Sequence, residues 1–257
     1  MSNENKVHLL GYYGGDKTHA LAAWSSTFLE LDIPIPEKIE DRVDCIVDYI
    51  ISNSKRIRSA EQLLNFLAKE KHTSPFRFST LHFATTTDIS THIQFLKHSV
   101  ALSAENAESA RYKELKEDKF YLPKDWEGIE VEENVCFCGE EIFASGKENA
   151  WINDEWLEVL DRYVRLGNRL YHQALKDLTP KLGRQRAKET ARFFKTYNSQ
   201  INSSKMMSFD GFLQIYFKRN LKSPSQREIA YVVEDMLQEI KNINGSPFKH
   251  SLSAFGL

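Results

Sequence analysis

Residues Gln94 to Tyr112 read QFLKHSVALSAENAESARY, and this stretch, the signature segment, guides the interpretation of the whole chain. It contains an amide, a lysine, a histidine, several hydroxyls, two carboxylates and an arginine, separated by alanine and leucine that can pack. Charge-assisted hydrogen bonds suit a phosphate, and neutral donors and acceptors suit the edge of a planar ring. The segment therefore predicts a site for a phosphorylated, planar heterocycle.

The composition favours a small ligand over a long nucleic acid. The formal net charge of -2 and the isoelectric point near 6.5 provide no general basic field, so an anion would be held by a local cluster. A chain of 257 residues with 41% hydrophobic content can bury one sizeable core. We expect a single domain over residues 1–257, with an insertion near 31–58.

The cysteines and the first residues predict a cytoplasmic location. Cys45, Cys136 and Cys138 are an odd number for a disulfide framework, and the opening MSNENK has no apolar signal core. No run approaches the roughly 20 apolar residues that cross a bilayer, so no membrane association is expected. Cys136 and Cys138 lack a second pair or a nearby histidine, and we expect no metal site.

Hydrophobic periodicity predicts an α+β fold. The expected strands are residues 7–10, which end at a Gly14-Gly15-Asp16 turn, and 79–87, with a loop or hairpin over 127–148. The expected helices are 18–29, one inside 31–58, 89–101, one around 156–175, and a last helix capped by 223–226. A further helix is expected after a Ser59/Gln62 capping box, with its core face formed by Leu63, Leu64, Phe66 and Leu67.

The signature segment resembles the motif of the flavin-dependent thymidylate synthases, which runs Arg-His-Arg, two residues, Ser, one residue, Asn-Glu, one residue, Ser, one residue, Arg-Tyr. In this chain the motif is two residues longer. The matching positions are Lys97-His98-Ser99 for Arg-His-Arg, Asn106 for Asn, and Ser109, Arg111 and Tyr112 at the end. Ala107 replaces the motif's Glu, which leaves Glu105 or Glu108 as its substitute.

The resemblance extends along most of the chain in the family's order. Near the start, Ser26 falls at a serine that contacts flavin, and KHTSPFRFSTLHF resembles the family's His-x-Ser/Thr-Pro-Phe-Glu-His element. The positions kept in that element are His72, Ser74, Pro75 and Phe76, with Arg77 and Phe78 in place of Glu-His. Later positions are Arg192 and Arg219, at the spacing of two nucleotide-binding arginines, Gln214 at an Asn position, and Asp210 at an Arg position associated with flavin.

The resemblance implies an α+β fold with a central, mostly antiparallel sheet and helices packed around it. It also implies a homotetrameric methyltransferase of nucleotide biosynthesis that converts dUMP to dTMP with FAD, methylenetetrahydrofolate and NADPH. Arg219 and Ser109 would be catalytic. The nucleotide would be held by Gln94, Glu108, Ser109, Arg111, Arg192 and Arg219. The flavin would be contacted by Ser26, His72, Ser74, Lys97, His98, Ser99 and Gln214.

Three functions stay open at this stage, because Arg77, Ser99 and Asp210 all change the charge that the family has at their positions. The first is methylation of dUMP. The second is C5 alkylation of another pyrimidine nucleotide, such as UMP. The third is a descendant without catalysis that binds a nucleotide or a partner protein. Most exposed cations, including Arg192 and the Arg111-Tyr112-Lys113 run, could also be solvated surface charges.

Overall fold

The computed structural model describes residues 4–26, 35–53, 59–98, 101–109, 112–131 and 155–257. The helices in these ranges are α1 (Asp16–Ser25), α2 (Ile39–Asn53), α3 (Ala60–Lys69), α4 (Ile89–Leu96), α5 (Trp156–Leu182), α6 (Arg184–Ala191), α7 (Phe209–Arg219), α8 (Arg227–Lys241) and α9 (Lys249–Ala254). No helix in the described part of the chain is long and apolar enough to cross a membrane.

A four-stranded antiparallel sheet lies at the centre of the topology. Its strands are β1 (Lys6–Tyr13), β2 (Thr80–Asp88), β3 (Leu102–Ala107) and β4 (Gln200–Met207), in the order β1-β2-β4-β3. Along β2 buried and half-buried residues alternate, with Leu81, Phe83 and Thr85 buried on one face. This period of two is the pattern that predicted a strand over 79–87. The expected α+β class with a mostly antiparallel sheet is confirmed.

The chain forms two compact units. The larger unit comprises Val7–Thr85, Phe95–Asn106 and Ser204–Leu257. The smaller unit comprises Met1–Lys6, Thr86–Gln94 and Ala107–Ser203. The expectation of one domain with an insertion near 31–58 stays a prediction, although a helix, α2, does lie within that segment.

The core of the larger unit contains a group of aromatic side chains. Phe76, Phe83, Phe209, Phe212 and Phe248 are buried together with the apolar faces of α3, α7 and α8. Helix α7 packs against α8 and against the 3-10 turn Ser74–Arg77. This packing fixes the position of α7, which carries several of the predicted site residues.

Gly211 allows α7 to pass unusually close to another backbone segment. A Cβ at this position would lie 2.2 Å from the carbonyl oxygen of Ala101. Glycine is therefore required here for close approach, and not for an unusual φ angle. The N-terminal turn of α7 is held against the segment that leads into β3.

The smaller unit has a second, smaller core between α5 and α6. Tyr171 and Leu175 of α5 pack against Ala187 and Ala191 of α6. The Tyr171 hydroxyl also accepts a hydrogen bond from the Leu115 amide at 3.0 Å. The loop that follows the signature segment is thus tied to the longest helix.

The helix predictions hold for several elements. The Ser59/Gln62 capping box is present at the start of α3, and α5 and α8 lie where the periodicity placed them. Helix α1 begins at Asp16, ahead of the expected residue 18, because the Thr18 hydroxyl accepts the Gly15 amide at 2.7 Å. Residues 27–29 of the expected first helix and most of the expected hairpin, with Cys136 and Cys138, lie outside the described residues.

Three details differ from expectation, the first being that the helix expected over 89–101 ends at Leu96. Phe66 does not face the core and is 39% exposed, because the buried stripe of α3 runs through Leu64 and Leu67. Helix α8 is not the last helix, since α9 follows it. The amides of His250 and Ser251 in the first turn of α9 donate to the Asp16 carboxylate, both at 2.7 Å. Because Asp16 is more than 200 positions from the helix that it caps, the residues around α9 contain no capping motif that could predict its start.

Candidate active site

Helix α7 ends at Arg219, whose side chain contacts a second predicted site residue. The Nε of Arg219 donates to Nε2 of His98 at 3.0 Å. Burial, together with the positive charges of Arg219 and Lys218, lowers the pKa of His98. The imidazole is therefore neutral near pH 7, and its proton lies on Nδ1 because Nε2 is the acceptor. The pair presents a guanidinium and a neutral imidazole side by side.

The first turns of α7 carry a second polar group. Asp210 is buried, with a side-chain exposure of 5%, and its Oδ2 accepts from Arg77 Nε at 2.8 Å. The same oxygen accepts from Gln214 Nε2 at 3.0 Å. Ser74 is the first residue of the 3-10 turn that ends at Arg77. Two predicted flavin residues, Ser74 and Gln214, therefore lie on elements that pack against each other.

The other predicted flavin residues of the larger unit lie at the surface. His72 follows α3, and Lys97 follows α4; both are exposed. Ser26 is exposed at the end of α1, where its hydroxyl donates to the Ala23 carbonyl at 2.8 Å. Ser99 lies outside the described residues. Each described side chain in this set is accessible to a ligand.

The smaller unit contains Glu108 in a fixed position. Its Oε1 accepts from Lys113 Nζ at 2.6 Å and its Oε2 accepts from the Asn202 amide at 2.9 Å. Partial burial acts to raise the pKa of Glu108, but the hydrogen bonds from Lys113 and Asn202 outweigh it and hold this pKa below its ordinary value. Glu108 is therefore a carboxylate at neutral pH, and each oxygen keeps a further lone pair for a ligand.

The remaining predicted nucleotide residues also belong to the smaller unit, apart from Arg219. Ser109 is half-buried, and its carbonyl accepts the amides of Tyr112 and Lys113, both at 3.0 Å. Gln94 is half-buried on α4 and Arg192 is exposed directly after α6. Arg111 lies outside the described residues.

A small, open cleft adjoins Glu108 in the smaller unit. Its walls include Lys113, Asp118, Lys195 and Asn202. Lys195, only 5% exposed, donates to Asp118 at 2.6 Å and to Asn168 at 2.7 Å. Apart from Lys113, which belongs to the Arg111-Tyr112-Lys113 run, these cleft residues were not expected from the sequence. No motif connects them, because the cleft is assembled from segments near residues 113–119 and 195–202.

Glu105, the other candidate for the motif's missing Glu, has a different environment. It forms an ion pair with Lys205, whose side chain has 0% exposure. The Lys205 ammonium also lies 5.1 Å from the centre of the Phe95 ring. Glu105 thus balances a buried charge in the larger unit, whereas Glu108 borders an open cleft.

The comparison with known families decides the identity of this chain. The family model described as thymidylate synthase complementing protein matches residues 9–244. The chain belongs to the flavin-dependent thymidylate synthase family. The resemblance drawn from the signature segment is thereby confirmed. The protein is a flavin-dependent thymidylate synthase-like methyltransferase, as expected.

Relatives support the family assignment and the fold. A flavin-dependent thymidylate synthase of Streptomyces avermitilis is 28% identical over 183 residues, which is 69% of each chain. The UMP/dUMP methylase PolB from Streptomyces cacaoi, bound with 5-Br dUMP, has a TM-score of 0.69 at 20% identity and covers 99% of this chain and 96% of its own. PolB bound with 5-Br UMP gives a TM-score of 0.65 at 18% identity, with 99% and 95% coverage. These solved structures share the fold of this chain.

The donor set of the larger unit fits a flavin nucleotide. Arg77 and Lys97 are exposed cations suited to phosphate oxygens. Gln214 supplies an amide, and His98 supplies an imidazole N–H on Nδ1, as the edge of a flavin ring requires. All of these residues belong to one compact unit.

Proposed function

We propose that this protein methylates C5 of a pyrimidine nucleotide, most readily of dUMP, with FAD as cofactor and with methylenetetrahydrofolate and NADPH as co-substrates. The observation that carries the proposal is the Arg219–His98 pair at the end of α7 in a chain of this family. The substrate and co-substrates follow the resemblance of the signature segment, and each is open to direct test.

Arg219 would stabilise the charge that develops on the pyrimidine. Uracil C5 is a weak nucleophile, and it becomes reactive when negative charge accumulates on the ring and its carbonyl oxygens, a charge that preorganised cations stabilise. The Nε of Arg219 is held by His98, so the orientation of the planar guanidinium is set in advance. Its two terminal nitrogens form no hydrogen bond within the described residues and would be available to a ring carbonyl.

Glu108 would take the role of the motif's missing Glu. It borders the cleft and stays ionised, whereas Glu105 is engaged with buried Lys205. A carboxylate can accept a hydrogen bond from the pyrimidine N3–H or from a sugar hydroxyl. Gln94, Ser109, Arg111 and Arg192 would complete the contacts to the nucleotide and its phosphate.

The flavin would be held by residues of the larger unit together with Ser99. When bound, FAD supplies the hydride chemistry that side chains cannot provide. His72, Ser74, Lys97 and Gln214 would orient it, with Ser26 as a further contact. His98 would hold a proton on Nδ1 toward the ring while its Nε2 keeps Arg219 in place. The enzyme would function as a homotetramer in the cytoplasm, with each site built from several subunits.

The first experiment is an absorption spectrum of the purified protein, followed by titration with dUMP and with UMP. A bound flavin whose bands change with one nucleotide supports the proposal and identifies the preferred sugar. A colourless protein that takes up no added FAD contradicts it and favours a non-catalytic descendant that binds a nucleotide or a partner protein.

A mutation then tests the assignment of Arg219. Arg219→Ala should lower turnover by roughly 100-fold or more, the usual effect of removing a group that stabilises charge in the transition state. Arg184→Ala is the matched control, because Arg184 is an exposed arginine paired with Glu114 in the smaller unit. Unchanged turnover in Arg219→Ala would show that this residue is not catalytic.

A second candidate substrate is UMP. The observation in its favour is the structural similarity to PolB, which is described as a UMP/dUMP methylase. If UMP is turned over at a rate comparable to that of dUMP, the protein accepts both the ribonucleotide and the deoxyribonucleotide. Turnover of dUMP alone would restrict it to deoxynucleotides.

A further inference from the structure

Two departures from the family pattern contact each other in the structure. Arg77 stands where the family has Glu, and Asp210 stands where the family has an Arg associated with flavin. These residues lie 133 positions apart, yet Arg77 Nε donates to Asp210 Oδ2 at 2.8 Å. The two charge reversals therefore compensate each other, since a cation and an anion still face one another with their positions exchanged.

The two side chains of this pair are in very different environments. The Asp210 side chain is 5% exposed and the Arg77 side chain is 62% exposed. The buried carboxylate is well stabilised, because it also accepts from Gln214 and lies in the first turn of α7, where the helix dipole favours an anion. Only Nε of Arg77 is bonded within the described residues, so both terminal nitrogens would be available to a ligand.

We infer that Arg77 is the cation that binds the phosphates of the flavin cofactor in this protein, and that Asp210 positions it. This inference rests on the proposed function. The charge that the family supplies from α7 comes here from the 3-10 turn that also carries Ser74. Asp210 acts through Arg77 and through Gln214, both of which it holds by the same oxygen.

A purely structural role for the pair does not account for this geometry. An ion pair with one highly exposed partner contributes little to stability. A guanidinium anchored through Nε keeps its two terminal N–H groups in the geometry that binds phosphate oxygens in parallel. The arrangement limits the motion of Arg77 before the ligand arrives, which lowers the entropy cost of binding.

The test measures FAD binding by flavin fluorescence and, separately, the melting temperature. Arg77→Gln should weaken FAD binding at least tenfold while the melting temperature stays unchanged, and it should reduce the salt dependence of binding. The Arg77→Glu variant should bind FAD even more weakly than Arg77→Gln, because two carboxylates would face each other. Arg77→Glu combined with Asp210→Arg should recover most of the affinity, because the pair is restored with the opposite polarity.

Arg165→Gln is the matched control, because Arg165 is also an exposed arginine whose Nε bonds to a carboxylate, that of Asp161 at 2.6 Å. It should leave FAD binding unchanged. If the wild-type protein binds no FAD, the proposed function fails. If the wild type binds FAD and Arg77→Gln binds it equally well, or loses affinity only in proportion to a lower melting temperature, the inference about Arg77 is wrong.

Discussion

At the scale of single residues, mutations distinguish the roles of the two carboxylates that could replace the motif's Glu. Glu108→Gln should weaken nucleotide binding by about tenfold, the value of one charge-assisted hydrogen bond, with little change in melting temperature. Glu105→Gln should instead cost about 3–5 kcal/mol of stability, because it removes a carboxylate from fully buried Lys205. Isothermal titration with dUMP and thermal unfolding of both variants provide the comparison. The opposite pattern would move the functional role to Glu105.

A second single residue, His19, makes the stability of the folded protein depend on pH. It is fully buried, with Nδ1 2.9 Å from the Ser251 hydroxyl and Nε2 2.9 Å from the Ser79 hydroxyl. Burial lowers the pKa of His19 from 6.5 to about 3. In this pH range the unfolded chain takes up a proton at His19 that the folded protein excludes. His19 therefore does not reduce the free energy of unfolding above pH 6.5. As the pH falls from 6.5 toward 3, it lowers this free energy by up to about 1.4 kcal/mol per pH unit.

Urea unfolding between pH 7.5 and 4.5 tests the contribution of His19. The wild type should lose stability across this range, and His19→Gln should lose it less steeply, because glutamine has no proton to gain. The variant will be less stable than the wild type at pH 7.5 if glutamine cannot reach both hydroxyls. Equal slopes for the two proteins would show that His19 does not control the pH dependence.

At the scale of elements, the position of α7 depends on its close approach to Ala101. Gly211→Ala would place a Cβ 2.2 Å from the Ala101 carbonyl oxygen, and the helix would have to shift. We expect a loss of about 1–3 kcal/mol, the usual cost of overpacking, and weaker FAD binding because Asp210 and Gln214 move with the helix. Gly11→Ala in β1 is the control, since nothing lies within 4 Å of its added Cβ. Equal melting temperatures for the two variants would contradict this view.

At the scale of the whole molecule, the expected homotetramer predicts complementation between subunits that carry different site mutations. Phe193, Tyr197 and Tyr112 are exposed by 78%, 72% and 80%, which makes them available for subunit contacts. The purified protein should have a mass four times that of the 29.8 kDa chain in analytical ultracentrifugation. Mixing Arg219→Ala with Glu108→Gln should restore part of the activity if the two residues come from different subunits. A monomer with full activity would exclude shared sites.

Helices with a clear local pattern were predicted more reliably than strands that contain polar residues. The capping box of α3 and the apolar stripes of α5 and α8 are each formed by neighbouring residues, and all three helices were found. Strands β3 and β4, with sequences LSAENA and QINSSKMM, were not expected, because hydroxyl, amide and charged side chains obscure their alternation. Lys205 is fully buried on β4, where Glu105 of β3 pairs with it.

The sequence by itself determined the α+β class, the family and the residues expected at the site, because periodicity and motif spacing are properties of neighbouring positions. Only the tertiary structure decided how the departures from the family pattern combine. Arg77 and Asp210 looked like two separate charge reversals until the fold brought them to 2.8 Å. The pairing of Arg219 with His98, 121 positions away, was equally invisible. Such contacts depend on how helices pack against one another, and no local sequence pattern encodes that packing.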